Sequence, residues 1–344
     1  FARLTGIPVI STLMGLGGFR GSDRKFLGMA GMHGTLEANY ALQNSEVLIN
    51  FGSRMEDRLV SNVPDFESRP RTVIHIDVDP SSISKRVKAQ IPIVRDVKSV
   101  LADMVSLLEE EDYRQNTELL TPWWNQIDEW RSRKSLDYPA DSKSIMPEAL
   151  VEKVQAAAPA DTIYTTDVGE HQMYAAQYLK LDEPRHFLTS GGQGTMGFGL
   201  PAAVGAAVAF PDKPVVCFTG DGSIQMCIQE LITCKRYGLT PKIVIFNNGY
   251  LGMVAVWQKL YCGGRLSETT LPSDKKSPPA FRTLWRLPKP MGTSATAAAR
   301  TRNSTRRLRM LSGKTGTNAA CSMFRSSVMN PCTRWLGLAK VSPE

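Results

Sequence analysis

Short apolar runs rich in Val and Ile recur along most of this chain, each parted from the next by a turn and a stretch of helical length. That alternation narrows the fold sharply. A short β-branched run with no polar alternation reads as a strand buried on both faces, which calls for a parallel sheet with crossover helices. IPVIST (7–12), EVLINFG (46–52) and TVIHIDVD (72–79) are such runs, with TLEANYALQNS (35–45) as a helix between two of them. A second block repeats the pattern: TIYTTDVG, PVVCFTGDG and PKIVIFNN as strands, with MPEALVEKVQAAA, GLPAAVGAAVAF and IQELITCKRYG as helices. The expected fold class is α/β, with two doubly wound parallel-sheet domains. The first spans 1–115 and the second 146–269. Residues 116–145, charged and holding three Trp, read as a surface helix and linker.

At 344 residues and 42% apolar composition the chain can bury two cores. It does not begin with Met, and no signal peptide is evident. The longest mostly apolar run, Gly199 to Phe210, is too short to span a bilayer, so no membrane partner is expected. Six scattered Cys form no Cys-x-x-Cys pair, which fits reduced thiols in the cytoplasm. The net charge of +8 is unevenly held: 14 of the 41 Lys and Arg follow residue 269, against only Asp274 and Glu344, so the remaining body is acidic. The region 270–344 shows no sustained helical or strand period.

Two strands carry chemistry at their carboxyl ends. PVVCFT runs into Gly220-Asp221-Gly222, and PKIVIF runs into Asn247-Asn248. Ligands of parallel α/β sheets bind at that edge. The glycines allow a tight turn and close backbone approach, and the N-terminus of a following helix favours a phosphate. A carboxylate beside an amide oxygen suits Mg²⁺, which commonly completes its shell with phosphate oxygens. Taken alone, Gly-Asp-Gly is an ordinary turn signal; the Asn pair closing the neighbouring strand is what makes it a site.

This spacing resembles the diphosphate-binding motif of thiamine diphosphate enzymes. TTDVGEHQMYAAQY (165–178) and TSGGQGTMGFGLPAA (189–203) are similar to the acetolactate synthase large subunit. LGMAGMHGTLEANYALQNSEVLINFGSRMEDRLV (27–60) and HIDVDPSSISK (75–85) resemble the middle, FAD-binding domain of that family. The resemblance covers about 1–268. It implies Mg²⁺ held by Asp221, Asn248 and the backbone carbonyl of Tyr250. It implies thiamine diphosphate contacts from Val168, Gly169, Glu170, His171, Gly220, Gly222 and Ser223, with Met196 beneath the cofactor and Met226 beside it. Met253 and Trp257 match substrate-channel positions. In the first domain Met32, His33, Gly34, Gly52, Arg54, Glu56, Asp77 and Asp96 match flavin-facing positions, Arg54 and Arg58 suiting phosphates and Asp77 a ribose hydroxyl. FAD is mainly structural in that family. The implied reaction is decarboxylation of pyruvate and ligation of its two-carbon unit to a second 2-ketoacid, pyruvate or 2-ketobutyrate, on the way to branched-chain amino acids. The implied assembly is a homodimer or tetramer with a small regulatory subunit.

The chain departs from that pattern in four ways. The amino-terminal domain that supplies the family's cofactor-activating glutamate is not represented, so no catalytic residue is assignable and the chain is expected to be inactive alone. Glu170 stands where Gln is common. Arg95 replaces Gly and Arg20 replaces Pro. Lastly, Phe281 to Ser294 can be encoded by codons that, read two bases on, give PDFVAVAEAYGHV, which resembles the family's continuation. MNPCTRWLGLAK (329–340) likewise gives EPMYPMVGLGK. Residues 270–344 therefore read as a frameshifted tail, the shift falling between about Glu268 and Ala280, with no native fold expected. Two alternatives follow from the same residues. One is another thiamine diphosphate lyase, of the pyruvate oxidase, glyoxylate carboligase or sulfoacetaldehyde acetyltransferase type. The other is a non-catalytic nucleic-acid binder using RTRNSTRRLRM (300–310), with nucleic acid the less favoured partner.

Overall fold

The computed structural model describes residues 1–139, 145–271, 294–297 and 320–325. They form two compact units, Phe1–Asp137 and Tyr138–Glu344.

The first unit runs α1 (Ala2–Thr5), β1 (Val9–Ser11), β2 (Phe26–Met29), α2 (Leu36–Asn44), β3 (Val47–Phe51), α3 (Val63–Glu67), β4 (Thr72–Asp77), β5 (Ile91–Val94), α4 (Val97–Glu110) and α5 (Thr117–Ser132). β3, β4 and β5 form a parallel sheet in that order, and β1 pairs in parallel with β2. The three anticipated strands are present. β2 and β5 escape the apolar pattern for local reasons. β2 contains Gly28 at φ +100°. β5 contains Pro92 and keeps Ile91 and Val94 exposed, as an edge strand allows. α2 begins where Thr35 Oγ1 accepts the Ala38 N–H at 3.2 Å, an N-cap visible in the sequence.

The segment expected to be a linker is instead part of this unit's core. α5 places Ile127 and Trp130, 0% and 7% exposed, among Leu27, Ala38 and Val73. Trp130 packs against Tyr40 and Trp123, at ring separations of 5.4 and 5.5 Å. The Trp124 indole donates to the Gly6 carbonyl at 3.0 Å, and Arg131 donates to the Phe26 carbonyl at 3.1 Å. The polar residues that made the segment look solvated lie on its other face. The first unit thus ends near Asp137 and not near 115.

The second unit runs α6 (Pro147–Ala157), β6 (Ile163–Thr166), α7 (Glu170–Tyr178), β7 (Phe187–Thr189), α8 (Gly199–Ala209), β8 (Val215–Gly220), a 3₁₀ turn (Ser223–Met226), α9 (Glu230–Tyr237), β9 (Lys242–Asn247), α10 (Gly252–Tyr261), β10 (Ser294–Ala297) and β11 (Ala320–Arg325). All strand pairs are parallel, in the order β10-β11-β9-β8-β6-β7. β6 and β8 are buried at every position, β8 through the apolar run Val215–Phe218 and β6 with Thr165 and Thr166 hydrogen-bonded inside. The small residues of α8 bring that helix close to the sheet, so that Leu200 and Ala203 meet Ile163, Cys217 and Ile243. β7, only three residues long, carried no readable signal.

Among the described residues, two short strands after residue 271 lie beside this sheet. β11 pairs with β9 from Cys321↔Ile243 to Arg325↔Asn247, and β10 pairs with β11. The basic stretch 300–310 lies outside the described residues, as does the part after residue 271 of the interval Glu268–Ala280 in which the frame shift is expected.

Candidate diphosphate and metal site

β8 and β9 run side by side in a register that sets Gly220 opposite Phe246, so both end at one rim of the sheet. Asp221 follows β8 and is 7% exposed. Its Oδ2 accepts the Gly249 N–H at 2.9 Å, its Oδ1 accepts the Gly222 N–H at 3.1 Å, and its own N–H donates to the Phe246 carbonyl at 3.2 Å. The two strand ends are thereby tied to each other through one carboxylate. Burial raises the Asp221 pKa to about 6, against the pull of the Gly249 and Gly222 N–H groups. Asn248 Oδ1 accepts the Tyr250 N–H at 2.9 Å, and its Nδ2 donates to Glu170 Oε2 at 2.8 Å.

A cleft of about 250 Å³ opens at this rim. Val168, Gly169, Glu170, His171, Gly220, Asp221, Gly222, Ser223, Asn248 and Tyr250, all expected on the site, line it. His171 fills the space between two glycines: a Cβ on Gly169 or Gly220 would come within 2.7 or 3.0 Å of its ring. Burial lowers the pKa of His171 to about 3, so its imidazole is neutral, and its Nε2 is buried with no hydrogen-bond partner. Ser223 Oγ accepts the Gly220 N–H at 3.0 Å, which fixes the Gly-Asp-Gly turn.

The helix N-terminus at the cleft is not the one anticipated. After Gly222 the chain makes only the 3₁₀ turn Ser223–Met226, and α9 begins later, at Glu230. α7, directly after Gly169, and α10, at Gly252, both start on the cleft.

Asp167 was missed from the sequence and organises the site. It is 0% exposed. Its carboxylate accepts the N–H groups of Val168 and Gly197, each at 2.8 Å, and of Gly199 at 3.2 Å. It thus locks the Val168-Gly169 turn to the Gly194–Gly199 turn that presents Met196. The available signal was its place: Asp167 follows β6 as Asp221 follows β8.

Met196 and Met253 line the cleft; Met226 and Trp257 do not. Met226 lies against Gly197 with 53% of its surface exposed. Trp257 lies one turn beyond Met253 on α10, where it stacks on Tyr261 at 5.0 Å and stays 41% exposed. Among the described residues no three His, Cys, Asp or Glu side chains converge as a metal cluster. A cation at this rim would therefore draw on Asp221, the amide oxygen of Asn248 and backbone carbonyl, a hard oxygen set that suits Mg²⁺ and leaves positions for phosphate oxygens. With a neutral imidazole and a glycine-lined floor beside it, the rim fits a metal-bound diphosphate.

In the first unit, the expected flavin residues fall partly on one rim. Gly52, Asp77 and Asp96 lie at or just beyond the carboxyl ends of β3, β4 and β5, and the Gly52 N–H donates to the Ile76 carbonyl at 2.8 Å. Asp77 Oδ1 accepts the Asp79 N–H at 2.9 Å. Arg54 pairs with Glu56 at 2.6 Å, both well exposed. Met32 is exposed, and burial together with Arg58 lowers the half-buried His33 to a pKa of about 4. Gly34 answers a packing need: a Cβ there would sit 2.3 Å from the Met29 carbonyl oxygen. Asp96 caps α4, accepting the Ser99 N–H at 3.2 Å. Asp96→Ala should cost about 1 kcal/mol in chemical denaturation and Asp96→Asn much less, since Asn also caps.

Comparison with known proteins bears directly on this rim. The model for the thiamine pyrophosphate enzyme C-terminal TPP binding domain matches residues 167–307, and the model for the thiamine pyrophosphate enzyme central domain matches 1–104. The chain belongs to the thiamine pyrophosphate enzymes, of which it carries the central domain and the cofactor-binding C-terminal domain. Relatives that it matches include acetolactate synthase large subunits. It is 47% identical over 273 residues to the one of Haemophilus influenzae, covering 79% of this chain and 47% of that protein. It is 48% identical over 267 residues to the isozyme 3 large subunit of Escherichia coli, covering 78% and 46%. Against the acetolactate synthase of Mycobacterium bovis it is 43% identical over 281 residues, covering 81% and 45%. The chain thus spans about half the length of the curated relatives it matches.

Proposed function

We propose that this chain is the central and cofactor-binding part of an acetolactate synthase large subunit. It would act on pyruvate, with pyruvate or 2-ketobutyrate as acceptor, in branched-chain amino acid synthesis. The observation that carries the reading is that Asp221 and Asn248 follow adjacent strands at one rim, tied there by the Gly249 N–H that donates to Asp221. Asp221, Asn248 and the Tyr250 carbonyl would hold Mg²⁺, and the metal would hold the diphosphate of thiamine diphosphate against Gly169, Gly220 and Gly222. When bound, that cofactor supplies the electron sink for loss of CO₂ from a 2-ketoacid. The residues of this chain bind and orient it. His171 packs between Gly169 and Gly220 and shapes the floor on which the diphosphate would lie, Met196 gives an apolar support whose turn Asp167 fixes, and Met253 borders the substrate side. Trp257 would reach the substrate only where a further part of the assembly covers α10.

FAD would sit at the rim of the first unit, over Gly52 and Asp77, in a structural role. Homo-oligomerisation, a small regulatory subunit and a cytoplasmic setting complete the proposal. Among the described residues no helix is long and apolar enough to cross a membrane. We further propose that the encoding frame shifts between about Glu268 and Ala280. DNA sequencing should show one base deleted, or two inserted, there relative to close relatives, and an intact frame would refute it.

The function is tested by calorimetric titration of the full chain with thiamine diphosphate. Binding should require Mg²⁺ and be absent in EDTA, whereas equal binding in both would remove the metal from the account. These 344 residues, purified as such, should form no acetolactate from pyruvate.

A further inference from the structure

Glu170 is a buried carboxylate that the proposed cofactor contacts leave unexplained. It is 7% exposed and lines the cleft. Only one of its oxygens is used: Oε2 accepts the Asn248 amide at 2.8 Å, while Oε1 is buried with no hydrogen-bond partner. Leaving a buried carboxylate oxygen unsatisfied is costly, so such an atom calls for a cation. The surroundings hold the group in place. A Cβ on Gly252 would lie 2.3 Å from Oε2, so this glycine is what lets the carboxylate lie against the start of α10. Glu170 is also the first residue of α7, where the helix dipole favours negative charge.

The partner of Glu170 is one of the residues proposed to hold the metal. Asn248 joins Glu170 on one side, and the next residue, Gly249, donates to Asp221 Oδ2 on the other. Two carboxylates are thus joined at one rim through Asn248 and Gly249; burial pushes the Glu170 pKa up and Asp221 adds to it, while the Asn248 amide and Lys259 pull it down.

We infer that Glu170 is a second anionic anchor for the divalent cation, so that this rim takes up the metal alone, before any diphosphate arrives. The inference rests on the proposed Asp221–Asn248 site and adds a residue and an order of binding to it. With a single carboxylate, a Mg²⁺-type ion would depend on phosphate oxygens for much of its charge balance. With two, the protein neutralises the ion itself. The same charge would then weigh against a diphosphate that arrives without metal.

The test uses Mn²⁺ as the probe, with free Mn²⁺ counted by electron paramagnetic resonance in the full chain and no thiamine diphosphate present. The chain should bind one Mn²⁺ at this rim. Glu170→Gln, which keeps shape and can still accept from Asn248, should weaken that binding at least roughly 10-fold. A second readout guards against a folding artefact: Mn²⁺ should raise the melting temperature of the wild-type chain more than that of E170Q. Equal Mn²⁺ affinity in wild type and E170Q, or Mn²⁺ uptake by the wild type only after thiamine diphosphate is added, would overturn the inference while leaving the Asp221 site standing. Asp221→Asn separates the two levels. If it binds Mn²⁺ as the wild type does, with and without the cofactor, the metal does not lie at Asp221 and the underlying reading falls as well.

Discussion

Asp221→Asn is expected to weaken Mg²⁺-dependent binding of thiamine diphosphate by roughly 100-fold or more, about 2.8 kcal/mol. The reason is charge. Asn keeps the size of the side chain, but offers the cation a neutral oxygen in place of a carboxylate. The fold should tolerate the change better than the site does. The buried carboxylate accepts two N–H groups, from Gly222 and Gly249, and the Asn amide can accept only one of them, at a cost of about 1–3 kcal/mol. Against that stands the release of a buried acid whose pKa is already pushed up to about 6. Calorimetry of cofactor binding, set beside urea denaturation of the apo chain, separates the two effects. A variant that loses stability and cofactor affinity in equal measure would mean that Asp221 serves only the turn.

Trp130→Ala should be the most damaging single change in the first unit, costing about 3–5 kcal/mol. Trp130 is 7% exposed and packs on Tyr40 and Trp123, so its removal opens a cavity between α2 and α5. A connector helix would lose little on the same substitution. Urea denaturation followed by circular dichroism measures the loss, and a change below about 1 kcal/mol would return α5 to the status of a linker.

That contrast shows what the sequence made legible. The strands of the site were readable because their apolar runs are unbroken and end abruptly in Gly-Asp-Gly and Asn-Asn. The strand register then brings Asp221 beside the Asn pair with no further information needed. α5 was misjudged because its many polar residues hide a narrow stripe. Trp123, Ile127 and Trp130 are spaced four and three apart, the period of a buried helix face, but their neighbours are charged. Asp167 carried the same strand-end signal as Asp221 and was passed over because its partners, the N–H groups of Gly197 and Gly199, lie some thirty residues away. The helix dipole expected behind Gly-Asp-Gly is displaced because the chain makes a 3₁₀ turn over Ser223–Met226 before α9 begins at Glu230. Glu170 was visible as a departure, yet only the structure shows that it holds Asn248. For Trp257, sequence likeness gave a position and the described residues give only a surface.

The central claim is that a divalent ion sits between Asp221 and Asn248. Its most direct measurement is an anomalous difference map from crystals of the full chain grown with Mn²⁺ and thiamine diphosphate. One strong peak is predicted within about 2.5 Å of an Asp221 carboxylate oxygen and of Asn248 Oδ1, with the diphosphate bridging the ion to Gly169 and Gly220. A peak at the opposite rim of the sheet, or a diphosphate bound at this rim with no metal peak beside Asp221, would contradict the account.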